Sequence, residues 1–347
     1  MHMDIFNDDA FSAVTMTEAL EDFEFKPSLI GSMNLFEDVP IATTKVSVER
    51  RANTMSIIPT TMRGEPLPEG KLDGRNIRKI TSIRIAKGHT LHSSSIQDVR
   101  AFGKENEVET MITHVARYTA KLLDDVEVTW ENMRLGAVFG KVLDADGSTI
   151  VDWFSEWGIA LPEEIDFGLT SPTTNIEQKC RSVLRKMMNA SRGAWRPTTK
   201  VVGLAGDSFF DNLTGHATVR AVYLNTAQAQ TLNAAFGAAT QSTFNAGSYA
   251  VFDYGGILFI NYRGSDIIQI ESTKCKFFPL NAPGVFQQAW APGESFEFTN
   301  TLGRPLYSML IRDRDRNMWV RPEVYSYPLF ICTRPEMLLS AKENDEG

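Results

Sequence analysis

Residues 60–80 read TTMRGEPLPEGKLDGRNIRKI. Gly64 followed by Gly70-Lys71 has the outline of a phosphate-binding loop. Its spacing is wrong: five residues separate the glycines where four are needed, and Leu72 takes the place of the magnesium-binding hydroxyl. Pro66 and Pro68 remove backbone donors and hold the chain extended, which opposes the curled nest of such a loop. The stretch is instead the bend between two extended limbs. From Val46 to Met62 and from Asn76 to Lys87 the chain alternates, with Ile77, Ile80, Ile83 and Ile85 set among Arg78, Lys79, Thr81 and Arg84. Limbs of this length reach about 40–50 Å. A two-stranded ribbon has little core of its own, and its bare edges invite pairing. It therefore needs a surface to lie on, either the body of its own chain or a neighbouring copy. Arg63, Lys71, Arg75, Arg78, Lys79 and Arg84 are the cations it would bring to that contact.

Charge along the chain supplies a candidate for the other side. Residues 1–44 hold nine acidic residues and one basic, and residues 45–87 hold ten basic and four acidic, within a chain of net charge −8. That overall balance, with a pI of about 5.3, argues against a nucleic-acid binder, which needs a basic surface. From Lys104 to Leu135 apolar residues recur in steps of three and four without a proline, predicting one helix about 48 Å long. Its acidic residues include Glu105, Glu109, Asp124, Asp125, Glu127 and Glu131. Either they form a solvated face or they receive a neighbour's basic loop; Glu105, Glu109, Asp124 and Asp125 are the candidates for the second role.

At 347 residues and 43% hydrophobic, the chain can bury a core of two or so packed units. Asp146-Gly147 and Gly255-Gly256 each mark a β-hairpin. Thr174 to Glu177 predicts a capping box ahead of an amphipathic helix that stops near Gly193. Val201–Ala205, Lys274–Phe278, Ser295–Thr299 and Leu306–Ile311 read as strands, and Asp207–Leu213, His216–Leu224 and Ala227–Phe236 as short helices. Arg312 to Arg316 alternates in sign, as an exposed salt-bridged strand or loop, or an intersubunit clamp. MHMDIFNDDA lacks the features of a secretory signal and no apolar run is long enough to cross a bilayer, so a cytosolic chain without membrane contact is expected. Cys180, Cys275 and Cys332 lack paired spacing and are expected as buried small residues. His89 and His92 have no third ligand, and Ser208 lacks the second glycine of a nucleophile elbow. No catalytic residue, metal ligand or cofactor site is expected. A large chain with a projecting loop and no active site is organised for contact between copies.

Taken in order, the acidic arm, RGEPLPEGKL (63–72), the long helix, VLDADGSTIVDW (142–153), FDYGGILFINYRG (252–264) and SYPLFICTRPEMLL (326–339) resemble the lambda-like major capsid protein E family of tailed bacteriophages. The resemblance spans nearly the whole chain and is weakest before Arg63 and from Thr231 to Gly247. It implies an α+β tailed-phage major capsid fold: an N-terminal arm (1–45), an extended β-hairpin loop (46–90), a peripheral domain with a spine helix (91–195), an axial domain (196–325), and a closing strand and tail (326–347). It further implies a non-enzymatic head protein that self-assembles into hexamers and pentamers of an icosahedral shell around double-stranded DNA. Scaffolding, portal and decoration proteins are the implied partners, with DNA contacted weakly and without sequence specificity. The location would be the virion, assembled in the host cytoplasm. Some relatives of the wider fold join subunits through a Lys–Asn bond; Lys71 and Lys79 are available, and a non-covalent shell is expected. The alternatives are the shell of a cellular nanocompartment or a cytosolic hydrolase with an unrecognised site.

Overall fold

A computed structural model describes residues 29–51, 75–94, 107–225, 249–262 and 270–344. In chain order, a short helix at Leu29–Ser32 precedes β1 (Glu37–Pro40), β2 (Lys45–Arg51), β3 (Arg75–Thr81), β4 (Ile85–Gly88) and β5 (Leu91–His92). The long helix follows at Glu107–Phe139, then the hairpin β6 (Lys141–Leu143) and β7 (Thr149–Asp152), a short helix (Trp153–Trp157) and β8 (Ile165–Asp166). Helix Ile176–Ala190, β9 (Lys200–Ala205) and helices Asp207–Gly215 and Ala217–Asn225 lead to β10 (Val251–Tyr254), β11 (Ile257–Asn261) and β12 (Lys274–Leu280). The chain closes with β13 (Phe286–Trp290), β14 (Tyr307–Arg312), β15 (Trp319–Ser326), β16 (Pro328–Cys332) and β17 (Leu339–Lys342).

The long helix has the expected period: Val115, Leu122, Val126, Trp130 and Met133 are all buried. It runs four residues past Leu135, to Phe139, and Gly136 lies against β6, where a Cβ would come within 2.8 Å of the Lys141 carbonyl. The helix therefore packs backbone to backbone on β6. Gly140 ends it with φ +82, its N–H donating to the Ala137 carbonyl, and the ring of Phe154 fills the space a side chain would need. Trp130 Nε1 donates to Ser326 Oγ at 3.2 Å, fastening the helix to β15.

Both expected hairpins are present, β6–β7 and β10–β11. β9 lies inside a six-stranded sheet of order β10-β11-β9-β12-β17-β8, and all of its residues but Lys200 are buried. Phe277, Phe167, Phe209 and Phe259 stack across the core that this sheet shares with helices Ile176–Ala190 and Asp207–Gly215. Cys180 and Cys275 lie there, Cys332 lies in the other core, and all three are free and buried. Burial raises the Cys180 thiol to about 12.

Strand pairing crosses the ranges implied by the resemblance. β8 and β17 complete the sheet of β9–β12, whereas β13 pairs with β1 and β16, and β15 pairs with β4 and β5. Two local expectations differ from the structure. Asn175, not Thr174, caps helix Ile176–Ala190, accepting from the Gln178 N–H at 3.1 Å. Ser295–Thr299 contains one 3-10 turn, Phe296–Phe298, rather than a strand. Of the strand or loop expected at Arg312–Arg316, the structure has the loop: after Arg312 the chain turns, and the Asp313 carboxylate accepts from the N–H groups of Asp315, Arg316 and Met318. The expected helix Ala227–Phe236 lies outside the described residues.

Candidate intersubunit surface

β2 and β3 form an antiparallel ribbon registered from Lys45↔Thr81 to Arg51↔Arg75. Val46 and Val48 alternate with Ser47 and enter the core around the long helix, so the base of the ribbon is anchored. The Ser82 N–H donates to the Thr44 carbonyl at 3.0 Å and closes that base. The second limb then leaves the ribbon: the Ile83 N–H donates to the Pro328 carbonyl, and β4 joins β15. A limb read as continuous from Asn76 to Lys87 is therefore two strands serving two sheets.

That break divides the expected cations. Arg78 and Lys79 are exposed on the ribbon, while Arg75 lies on β3 opposite Arg51. Arg84, past the break, has its guanidinium 3.1 Å from Glu294 and 5.3 Å from the ring centre of Tyr325. A hydrogen bond with Tyr327 raises its pKa. Lys87 reaches Asp125 on the long helix at 2.5 Å. Asp125 thus meets a cation of its own chain, and Asp124 beside it is exposed. Glu109 lies in the first turn of the long helix; Arg63, Lys71 and Glu105 lie outside the described residues.

Two further acidic residues of this helix do not behave as one solvated face. Glu131 is buried, and its carboxylate accepts from the Ile30 N–H at 2.8 Å and the Gly31 N–H at 3.3 Å. It caps the helix Leu29–Ser32, whose leading N–H groups have no partner within so short a helix. Burial raises the pKa of Glu127 and lowers that of Arg134, which lies over Trp130 and Phe330. Two acidic residues of the described part of the arm are likewise engaged within the chain. Asp38 accepts from Gln288 Nε2 and Trp290 Nε1, both at 2.7 Å, and Glu37 accepts from the Gly284 N–H at 2.9 Å. Periodicity gave no sign of these contacts, because each partner lies 100 residues or more away in sequence.

His89, Ser208 and His216 are engaged in structural contacts. His89 stacks on Tyr118 with ring centres 4.7 Å apart, and Ser208 Oγ donates to Glu343 at 3.0 Å. Buried His216 is held by the Ser171 carbonyl and Thr218 Oγ1. Among the described residues no group of three or more His, Cys, Asp or Glu could hold a metal ion, and no helix is long and apolar enough to cross a membrane.

A family model described as phage major capsid protein E matches residues 12–343. The major capsid protein of Salmonella phage Felix O1 (isolate Felix O1-VT1) is 25% identical over 342 residues, 92% of each chain. That of Pseudomonas phage KPP10 is 28% identical over 183 residues, 51% of each. Among solved structures, a prophage protein of E. coli CFT073 described as a capsid protein superposes with a TM-score of 0.55 at 15% identity, over 94% of this chain and 98% of that one. The capsid of Cyanophage P-SCSP1u superposes with a TM-score of 0.51 at 8% identity, over 92% of this chain and 89% of the other. At such identities these superpositions speak for the fold alone.

Proposed function

The chain belongs to the phage major capsid protein E family, and from that premise we propose that its ribbon completes itself on a neighbouring subunit within hexamers and pentamers of an icosahedral shell. The protein is a bacteriophage major capsid protein, a structural component of the virion shell and not an enzyme. Membership of the family sets aside the nanocompartment and hydrolase alternatives.

The observation that carries the subunit-to-subunit reading is the ribbon itself. Val46 and Val48 tie its base to the core, and its basic side chains Arg78 and Lys79 are exposed. Two-stranded ribbons are marginal in water, so the part beyond the base needs another surface. Arg63, Lys71, Arg75, Arg78 and Lys79 are assigned to that contact, with Glu105, Glu109 and Asp124 as acidic counterparts on the neighbour. Arg84 and Asp125 have partners in their own chain and hold the root of the loop instead. The finer architecture follows the same reading in its arm 1–45, extended loop 46–90, peripheral domain 91–195 and axial domain 196–325, with the closing residues 326–347 shared between the last two: β16 pairs with β13, and β17 with both β12 and β8. Scaffolding, portal and decoration proteins and weakly held double-stranded DNA complete the particle, which assembles in the host cytoplasm. Contacts between copies are individually modest and collectively stable, because ordering and association oppose most of the apolar gain.

The test is charge reversal at the ribbon. The triple variant Arg63→Glu, Arg75→Glu, Arg78→Glu should keep the unfolding midpoint of the lone chain and form no particles in electron micrographs. Normal particles from the triple variant would remove the ribbon from the subunit contact.

A further inference from the structure

Phe296 is 100% exposed, and it belongs to the single 3-10 turn that joins β13 to β14. In a 3-10 turn residues three apart share a side. Ser295 and Phe298 therefore face inward together, and Phe296, one-third of a turn away, points out. The inward side borders a cavity of about 170 Å³ lined by Gly293, Phe298, Tyr307, Met309, Tyr325 and Tyr327. A cavity of roughly 150 Å³ admits benzene, so this one has room for a phenyl ring. Phe298 and Tyr307 (ring centres 4.7 Å apart) and Tyr307 and Tyr327 (5.9 Å) offer an incoming ring tilted and edge contacts. A protruding aromatic ring and an aromatic hole thus lie on one short segment.

From this juxtaposition we propose that residues 293–298 form a reciprocal contact between two copies of the chain, each inserting Phe296 into the other's tyrosine-lined cavity. The inference rests on the capsid reading, which supplies the second copy. A two-fold contact uses the same patch on both partners and so requires that patch to complement itself. This one does so in shape, through ring and cavity, and in charge. Its rim carries both signs, the cation Arg84 with the exposed carboxylates Glu294 and Glu297. A two-fold operation can set the cation of each copy beside a carboxylate of the other. A partner of uniform charge would leave part of this rim uncompensated. The buried aromatic pair at the centre, ringed by polar groups, has the layout of an interface hot spot.

The unsubstituted chain provides the first test. Hydroxyl-radical oxidation of Phe296 should fall by about tenfold, the effect of near-complete burial in the contact, when lone chains assemble into particles. Equal oxidation in both states overturns the contact while leaving the capsid reading intact; if no particles form, the capsid reading itself fails. The second test fixes the geometry. A chain carrying both Phe296→Cys and Met309→Cys, oxidised in particles, should yield closed covalent dimers on a non-reducing gel. Ladders of trimers and longer products would mean a head-to-tail contact, and monomers would mean that the two cysteines do not meet across copies; each overturns the reciprocal arrangement. Should that variant not assemble, Phe296→Ala decides: the chain concentration needed for particles should rise by about tenfold, the loss of one hot-spot side chain, and an unchanged threshold overturns the proposal.

Discussion

The six-stranded sheet, whose central β9 is a continuous apolar run, and the two-stranded ribbon, whose strands mix apolar and charged residues, differ in where their faces go. β9 is covered on both faces by its own chain, with a glycine at Gly203 because a Cβ there would come within 2.9 Å of the Phe277 ring and 3.0 Å of Cys275 Sγ. β2 sends Val46 and Val48 into the core, and β3 keeps Arg78 and Lys79 in solvent. The sheet is covered within one copy; the described ribbon is anchored at its root by Val46 and Val48. On the account proposed above, a second subunit covers the rest, so the two regions differ in what folding and what assembly would stabilise.

The comparison is sharpest where the sheet is cut. Phe277→Ala should lower the stability of the lone chain by about 3–5 kcal/mol, read from its denaturant midpoint; a shift under about 1 kcal/mol would mean that the sheet core is not densely packed. Next comes the joint between the arm and the long helix. Glu131→Ala strips the acceptor from the N–H groups of Ile30 and Gly31 and should cost about 1–3 kcal/mol, with Glu131→Gln recovering part of it by keeping one acceptor oxygen. The smallest effect belongs to the root of the ribbon. Lys87→Ala breaks an exposed pair and should change lone-chain stability by no more than about 1 kcal/mol, and by less in high salt. A larger loss would show that the ribbon's root depends on this pair and would blur the contrast between the two regions.

What the sequence made legible was local. The long helix follows from apolar steps of three and four, and Asp146-Gly147 and Gly255-Gly256 mark their hairpins because tight turns demand positive φ, which Gly147, Gly255 and Gly256 adopt. Pairings between distant segments left no local mark: β1 with β13, β8 with β17, and Asp38 with Trp290. Glu131 reads as one more charge on a helix, and only the arrival of Ile30 and Gly31 turns it into a cap. The alternation Phe296-Glu297-Phe298 suggests a strand, in which both rings would share a face. They lie on opposite sides instead, Phe298 at 6% exposure and Phe296 fully out. Of the ten charged residues expected at the subunit contact, Arg84 and Asp125 are engaged within the chain, because the second limb breaks after Thr81 and turns toward the long helix.

The central claim, that the ribbon is finished by a second subunit, is tested most directly by amide hydrogen exchange on β2 and β3 in the lone chain and in assembled particles. Amides at Glu49–Arg51 and Arg75–Ile77 should exchange quickly in the lone chain and become protected in particles, while those of β9 stay slow in both. Equally slow exchange of the ribbon in the lone chain would mean that its own body suffices to hold it, and would contradict the account.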